Sequence, residues 1–314
     1  MTEADKSKLA ILLNHIAPNN QLQAIDTLAL GFSNRSFRLR VTRSDNSQVD
    51  YVVKQYSDND NVFGRDAETR AKLEHKILTF LREGSIPCPE PIFFDPKGTI
   101  LGLPVLITNR LPGEQILAHP ANPLWAEQAP TVAELLTRIH MLPCPDELIA
   151  ILPDATSQAT WFTENDTVPD YMQAYPDGES IWNIIRQELP KMTPPGPVLV
   201  HGDYWSGNML WEKGQLTAIL DWENVAFGDP GFDIAYCRME MIIDGMDDAA
   251  DTFLKTYETY TGKPVVNLGL CELAVAVQPM WQRAPYLTTS PIQERFRQFV
   301  ANAKKRMSSN QNAP

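Results

Sequence analysis

One stretch of this 314-residue chain constrains its fold more than any other: residues 198–222. Two short apolar runs there are separated by the polar turn at residues 212–215, which predicts a β-hairpin. A hairpin brings its two open ends side by side, so Asn208 and Asp221 should converge. Asp203 lies a few residues upstream of the first strand. The stretch therefore predicts a small site that contains one amide and two carboxylates.

The chemistry of these side chains indicates a magnesium-dependent reaction. Amide and carboxylate oxygens are hard ligands, and Mg²⁺ usually takes one or two of them plus phosphate oxygens. The spacing His-x-Asp-x4-Asn from His201 to Asn208, followed by Asp221 on a strand, matches the catalytic loop and metal-binding Asp of protein kinases. A single Asp or Asn before a strand is more often a turn former. Together they predict Asp203 as the catalytic residue, Asn208 and Asp221 as metal ligands, and His201 as a backbone brace.

A second constellation lies earlier in the chain. Lys54 stands in a predicted strand at residues 51–56, and Glu74 stands on the apolar stripe of a predicted helix at residues 65–83. A carboxylate on such a stripe is costly without a cationic partner, and Lys54 is the natural candidate. The pair would correspond to the kinase Lys and Glu that grip the α- and β-phosphates. The alternative is that Glu74 lies at the edge of the stripe and stays solvated.

The remaining periodicity predicts an α+β chain. An amphipathic helix at residues 5–16 precedes a small antiparallel sheet, and most of the chain beyond residue 113 has helical periodicity. The predicted strands of the sheet are residues 28–30, 37–41, 51–56, 92–94 and 103–108. The predicted helices of the second part are residues 123–141, 179–189, 232–243, 247–260, 271–280 and 292–307.

Taken together, these motifs resemble the aminoglycoside phosphotransferase and choline kinase family over nearly the whole chain. The resemblance implies a protein-kinase-like two-lobed fold, with a nucleotide-binding lobe at 1–108, a hinge at 109–113 and a catalytic and acceptor-binding lobe at 114–314. It also implies a nucleotide loop at residues 31–34, which has a single glycine. Asp233, at a helix start, would brace the catalytic loop. The nucleotide-binding residues that the resemblance implies are Lys54, Glu74, Ser33, Asn34, Asn109 and Leu111.

The activity that the resemblance implies is transfer of the γ-phosphate of a nucleotide to a hydroxyl group of a small molecule. The cofactors are ATP, with GTP left open, and Mg²⁺; the acceptor is an aminoglycoside, an amino alcohol or a sugar-like compound. Gly202 replaces the Arg of the protein-kinase loop, and no Ala-Pro-Glu follows Asp221. The chain therefore lacks the segment with which protein kinases dock peptides, which favours a small-molecule acceptor.

Composition excludes several other classes. The net charge of −12 argues against nucleic acid as a partner and slightly favours a cationic or neutral acceptor. The four cysteines form no CxxC pair, and the sequence has no long apolar segment, so we expect a cytoplasmic protein without a membrane partner. The oligomeric state stays open.

Two alternative functions are a catalytically inactive kinase-fold nucleotide-binding or regulatory module, and a hydrolase with His201 and Asp203 as metal ligands. The second is weak because the sequence has no His-x-His or His-Glu-x-x-His motif.

Overall fold

The computed structural model describes residues 3–16, 18–28, 34–58, 62–119, 121–122, 124–282, 284, 287 and 290–310. Ser33 and the rest of the predicted nucleotide loop before Asn34 lie outside the described residues. The chain divides into two compact units. The first combines Met1–Gly113 with Thr217–Glu223, and the second combines Glu114–Leu216 with Asn224–Pro314. The segment that carries Asp221 thus packs with the first unit, although its position along the chain suggests the second.

In its described residues, the first unit contains a five-stranded sheet and two α-helices, and the sequence predicts all of these elements except the first strand. The strands follow the order β1-β2-β3-β5-β4, and every neighbouring pair is antiparallel. The prediction of a strand at residues 28–30 is wrong for Leu28, because β1 already ends at Thr27, and the other two residues lie outside the described ones. The exposed polar residues of β1 alternate with partly buried ones, so the sequence of this strand carries only a weak apolar pattern. The elements are α1 (Glu3–Ile16), β1 (Gln21–Thr27), β2 (Asn34–Thr42), β3 (Gln48–Tyr56), α2 (Ala67–Glu83), β4 (Pro91–Asp95) and β5 (Val105–Asn109).

The two faces of this sheet have different roles. Helix α1 packs on one face, where Leu12 and Val53 belong to the same buried cluster. Since successive side chains of a strand point to opposite faces, Lys54 lies on the other face. Helix α2 begins after Asp66, whose carboxylate caps the helix by accepting from the backbone N–H of Thr69 at 2.6 Å. Its buried side includes Glu74, which it brings to the face of Lys54.

The second unit is mostly helical, with short strands beside the predicted catalytic loop. Strand β7 (Val198–Val200) pairs with β10 (Ala226–Gly228) in antiparallel register. A second small sheet has the order β6 (Glu114–Gln115), β8 (Met209–Glu212) and β9 (Gln215–Ile219), of which β9 belongs to this unit only as far as Leu216, so the predicted hairpin is present. The sequence analysis missed β6 and β10, because strands of two or three residues carry no periodicity.

Most long helices of the second unit lie within a few residues of their predicted positions. The predicted helix at 271–280 is instead two helices that meet at Ala276, where Pro279 removes a backbone donor from the first turn of the second. Among the described residues, the chain forms no helix with the length and hydropathy needed to span a membrane. The helices are α3 (Leu124–His140), α4 (Asp146–Ile149), α5 (Ala155–Thr160), α6 (Asp170–Gln173), α7 (Gly178–Glu188), α8 (Gly231–Ile243), α9 (Asp247–Thr261), α10 (Leu268–Val275), α11 (Val277–Trp281) and α12 (Ile292–Asn310).

Candidate active site

In the first unit, Lys54 lies at the centre of a group of carboxylates. Its Nζ donates to Glu74 Oε2 at 2.7 Å and to Asp221 Oδ1 at 2.5 Å. Glu74 Oε2 also accepts from the hydroxyl of Tyr56 at 2.6 Å. Glu74 is only 4% exposed, which rules out the alternative in which it stays solvated. The structure therefore brings together the Lys and Glu that the sequence pairs, and adds Asp221 to them.

The electrostatics of this group keep Lys54 charged. Burial favours the neutral amine, but the carboxylates of Asp221, Glu223 and Glu74 outweigh it and raise the pKa of Lys54 well above its ordinary value. Burial also raises the pKa of Glu74, against the opposing effect of Lys54 and with a further contribution from Asp221 and Glu223. The lysine is thus a fixed cation among three acidic groups.

Asp221 itself has an unusual backbone. Its φ is +61°, in the left-handed region that few residues other than Gly adopt and that Asp tolerates better than most. The next residue, Trp222, is fully buried, and its indole N–H donates to the carbonyl of Ile219 at 3.1 Å. The Asp221 side chain remains 39% exposed. The buried Trp222 therefore holds this segment in place, while the carboxylate of Asp221 stays accessible.

Glu223 is a residue that the sequence analysis missed. It is buried, and its Oε2 accepts from Asn34 Nδ2 at 2.7 Å and from Arg70 Nη1 at 3.0 Å. The only signal in the sequence is its position two residues after Asp221. Because its partners lie more than 150 positions away along the chain, no local pattern identifies them.

The donor set of the first unit fits a magnesium ion. Carboxylate oxygens of Glu74, Asp221 and Glu223 all lie within 4.8 Å of one another. Oxygen ligands of this type suit Mg²⁺, which keeps its remaining positions for water and phosphate. The accessible Asp221 is the member best placed to serve as a ligand.

In the second unit, the predicted catalytic loop follows β7, and its backbone conformation requires a glycine. Gly202 has φ +80°, and a Cβ atom there would lie 2.3 Å from the carbonyl oxygen of Asn224. The buried carboxylate of Asp233 accepts from the backbone N–H of His201 at 2.7 Å and of Gly202 at 2.8 Å. Asp233 thus contacts the loop at two points, as the resemblance implies.

Behind Asp233 lies a buried histidine to which the sequence analysis gave no role. His140 Nε2 lies 3.1 Å from Asp233 Oδ2, and its Nδ1 lies 2.8 Å from the hydroxyl of Tyr257. Because both ring nitrogens of His140 have a hydrogen-bonding partner, the orientation of the ring is fixed. His140 therefore supports the brace from the interior of the unit.

The predicted catalytic Asp203 is held by two neighbours. Asn208 Nδ2 donates to Asp203 Oδ2 at 2.8 Å and to its backbone carbonyl at 2.9 Å. The backbone N–H of Asp203 donates to Nδ1 of the buried His201 at 3.2 Å. Because the side-chain nitrogen of Asn208 donates to Asp203, the Oδ1 atom of Asn208 is the one that could coordinate a cation.

Glu240 is the second residue that the sequence analysis missed. It lies on α8 two helical turns after Asp233 and hence on the same face of the helix. Burial, together with the charges of Asp244 and Asp203, raises the pKa of Glu240 to about 8. The sequence marks Glu240 only as a single acidic residue between Met239 and Met241, which is a weak indication of a functional position.

Comparison with known proteins identifies the group to which this site belongs. Residues 25–267 match the model of the phosphotransferase enzyme family. The chain belongs to this family. The assignment makes the protein a phosphotransferase with an alcohol group as acceptor, and it confirms the family that the sequence motifs indicate.

Individual members and solved structures agree with the assignment. The chain is 27% identical over 259 residues to a homoserine kinase from Polaromonas naphthalenivorans, covering 76% of this chain and 73% of that one. It superposes on the ADP-bound aminoglycoside phosphotransferase APH(2'')-Ib with a TM-score of 0.61 at 17% identity, covering 96% of this chain and 97% of that one. The streptomycin–ATP complex of APH(2'')-IIa gives a TM-score of 0.61 at 19% identity, with 90% and 91% covered. The fold is therefore protein-kinase-like, as predicted.

Two residues of the predicted hinge, Asn109 and Leu111, lie at the end of β5 and just beyond it. Asn109 ends β5, and its Oδ1 accepts from the backbone N–H of Glu90 at 2.7 Å. Its own backbone N–H donates to the carbonyl of Glu90 at 3.1 Å. Leu111 lies two residues further on and is half-buried. The side chain of Asn109 thus already anchors the start of β4, and a nucleotide-binding role for either residue stays a prediction.

Proposed function

We propose that this phosphotransferase transfers the γ-phosphate of ATP to a hydroxyl group of a small acceptor in a magnesium-dependent reaction, with Asp203 as catalytic residue. The observation that carries the proposal is the way Asp203 is held. Its carboxylate accepts from Asn208, and the loop around it is fixed by the buried Asp233. A carboxylate held in this way can orient an acceptor hydroxyl and take its proton as the phosphate is transferred.

The first unit supplies the groups for the donor. Lys54 is a fixed cation on the face of the sheet opposite α1, and such a cation suits the phosphates of ATP. In this unit Asp221 is the residue that would hold Mg²⁺, which when bound neutralises charge on the phosphates, and Asn208 of the second unit stays the further metal ligand that the sequence predicts. The solved relatives with ADP and ATP support a nucleotide as donor.

The second unit supplies the groups for the acceptor. The charges of Asp203 and Asp244 contribute to the raised pKa of Glu240, so Glu240 lies within electrostatic reach of the catalytic residue. A cationic amine at this place would be attracted by the carboxylate of Asp203 and would favour ionisation of Glu240, whereas Asp203 would repel an anionic acceptor. The relatives named for homoserine, streptomycin and kanamycin support an acceptor with hydroxyl and amine groups.

A coupled ADP-release assay tests the proposal. The enzyme is given Mg-ATP or Mg-GTP and a panel of amino alcohols, amino sugars, neutral sugars and acidic metabolites. We expect turnover with a cationic or neutral hydroxyl compound and a requirement for Mg²⁺. Binding of ATP without turnover of any acceptor would instead favour the inactive nucleotide-binding module. A best acceptor with net negative charge would contradict the electrostatic argument and leave the kinase assignment intact.

A further inference from the structure

Glu223 joins three elements of the first unit through one oxygen atom. Its Oε2 accepts from Asn34 Nδ2 at 2.7 Å and from Arg70 Nη1 at 3.0 Å, and it lies 3.8 Å from Lys54 Nζ. Asn34 is the first residue of β2, Arg70 lies in the first turn of α2, and Lys54 lies on β3. Glu223 is 7% exposed, so these contacts are made away from bulk water.

The contact with Arg70 fixes the helix that carries Glu74. Arg70 lies one turn before Glu74 on α2, and it is 1% exposed. Its other terminal nitrogen donates to the carbonyl of Ser57, just past the end of β3, at 2.5 Å. A buried guanidinium is tolerated only when an opposite charge meets it, and Glu223 provides that charge. The link therefore ties the first turn of α2 to the strand of Lys54.

The contact with Asn34 reaches the end of the predicted nucleotide loop. The amide nitrogen of Asn34 is committed to Glu223, which leaves its Oδ1 as the free acceptor of the side chain. That oxygen is buried and has no hydrogen-bond partner among the residues that the structure describes. Buried acceptors of this kind are usually satisfied in the functional state. Glu223 thus orients the Asn34 side chain so that its Oδ1 can still accept a hydrogen bond.

We infer that Glu223 is a positioning residue for nucleotide binding: it orients Asn34 and, through Arg70, holds the helix that presents Glu74 to Lys54. The inference rests on the proposed function, because these contacts concern a nucleotide only if the protein is a kinase. Glu223 acts through its neighbours and needs no contact with the nucleotide itself.

Calorimetric titration with a non-hydrolysable ATP analogue tests the inference, in Mg²⁺ and in excess chelator. Glu223→Gln keeps the size of the side chain and removes its charge. We expect the dissociation constant to rise by roughly three- to thirtyfold, and by the same factor with and without Mg²⁺. Asn34→Ala should also weaken binding, and the double variant should lose less than the product of the two factors. Glu68→Gln, an exposed acid on the same helix as Arg70, is the matched control and should bind as wild type does.

Several outcomes would overturn the inference. A lower melting temperature with unchanged nucleotide affinity would make Glu223 a purely structural residue. A loss confined to the titrations with Mg²⁺ would make it a direct metal ligand. If Glu223→Gln does not fold, Asn34→Ala decides the matter, and an affinity equal to that of Glu68→Gln rejects the role. Failure of wild type to bind the nucleotide would reject the proposed function itself, which keeps the two failures distinct.

Discussion

The raised pKa of Glu240 leads to a prediction about the stability of the folded protein, which can be tested without a substrate. In the folded protein this pKa is about 8, whereas the ordinary value for Glu is 4.5. The folded state therefore keeps a proton that the unfolded state releases. The stability from this group is fully present below the unfolded pKa and is lost as pH rises through the folded pKa. Glu240→Gln has no proton to lose, so its stability relative to wild type should increase with pH.

The size of the effect follows from the same values. Each pH unit between the two pKa values costs the wild type at most about 1.36 kcal/mol, so a rise from pH 6 to pH 8 costs at most about 2.7 kcal/mol. Glu240 is partly accessible, and water reduces the penalty for its charge. We therefore expect the variant to gain about 1–2 kcal/mol on wild type over this interval. At about 2–4 °C per kcal/mol, this is a relative gain of several degrees in melting temperature.

Thermal unfolding of both proteins at pH 6, 7 and 8 provides the measurement. The difference between variant and wild type cancels groups that titrate equally in the two proteins. Glu164→Gln, which changes an exposed acid of the same unit, is the control and should show a constant difference across the series. A gain that shrinks as pH rises would mean that Glu240 is ionised and stabilised in the fold, and it would refute the reasoning.

Three further predictions concern the reaction. Asp203→Asn should keep the affinity for Mg-ATP within a few-fold while turnover falls by about 10² or more, as calorimetry beside steady-state rates would show; full activity would reject Asp203 as the catalytic residue. Asp221→Ala should lose magnesium-dependent nucleotide binding, measured by titration with and without Mg²⁺, and retention of that dependence would place the metal elsewhere. In a double-mutant cycle on nucleotide affinity, Lys54→Ala and Glu74→Ala should couple by roughly 0.5–3 kcal/mol, because the two groups share one hydrogen-bonded network. Simple additivity would show that their contact has no consequence for binding.

The parts of the site that could be predicted from sequence are those that short spacings encode. Asp203 and Asn208 lie five positions apart in one loop, and their hydrogen bond is a local consequence of that spacing. Lys54 and Glu74 could be paired because a strand and a helix each have a fixed periodicity, which places one side chain on a known face. The hairpin between β8 and β9 was predictable for the same reason, since its turn and its apolar runs are adjacent.

What the sequence alone determined is therefore the fold class, the family and the identity of the predicted reactive side chains. Only the tertiary structure revealed that the segment with Asp221 packs with the first unit and that Glu223 meets Asn34 and Arg70. It likewise revealed that Glu240 is coupled to Asp203. The physical reason is that periodicity states which face a residue occupies, whereas its partners depend on how distant elements pack. A buried charge is stable only beside the partner that this packing supplies, and that partner leaves no trace in the local sequence.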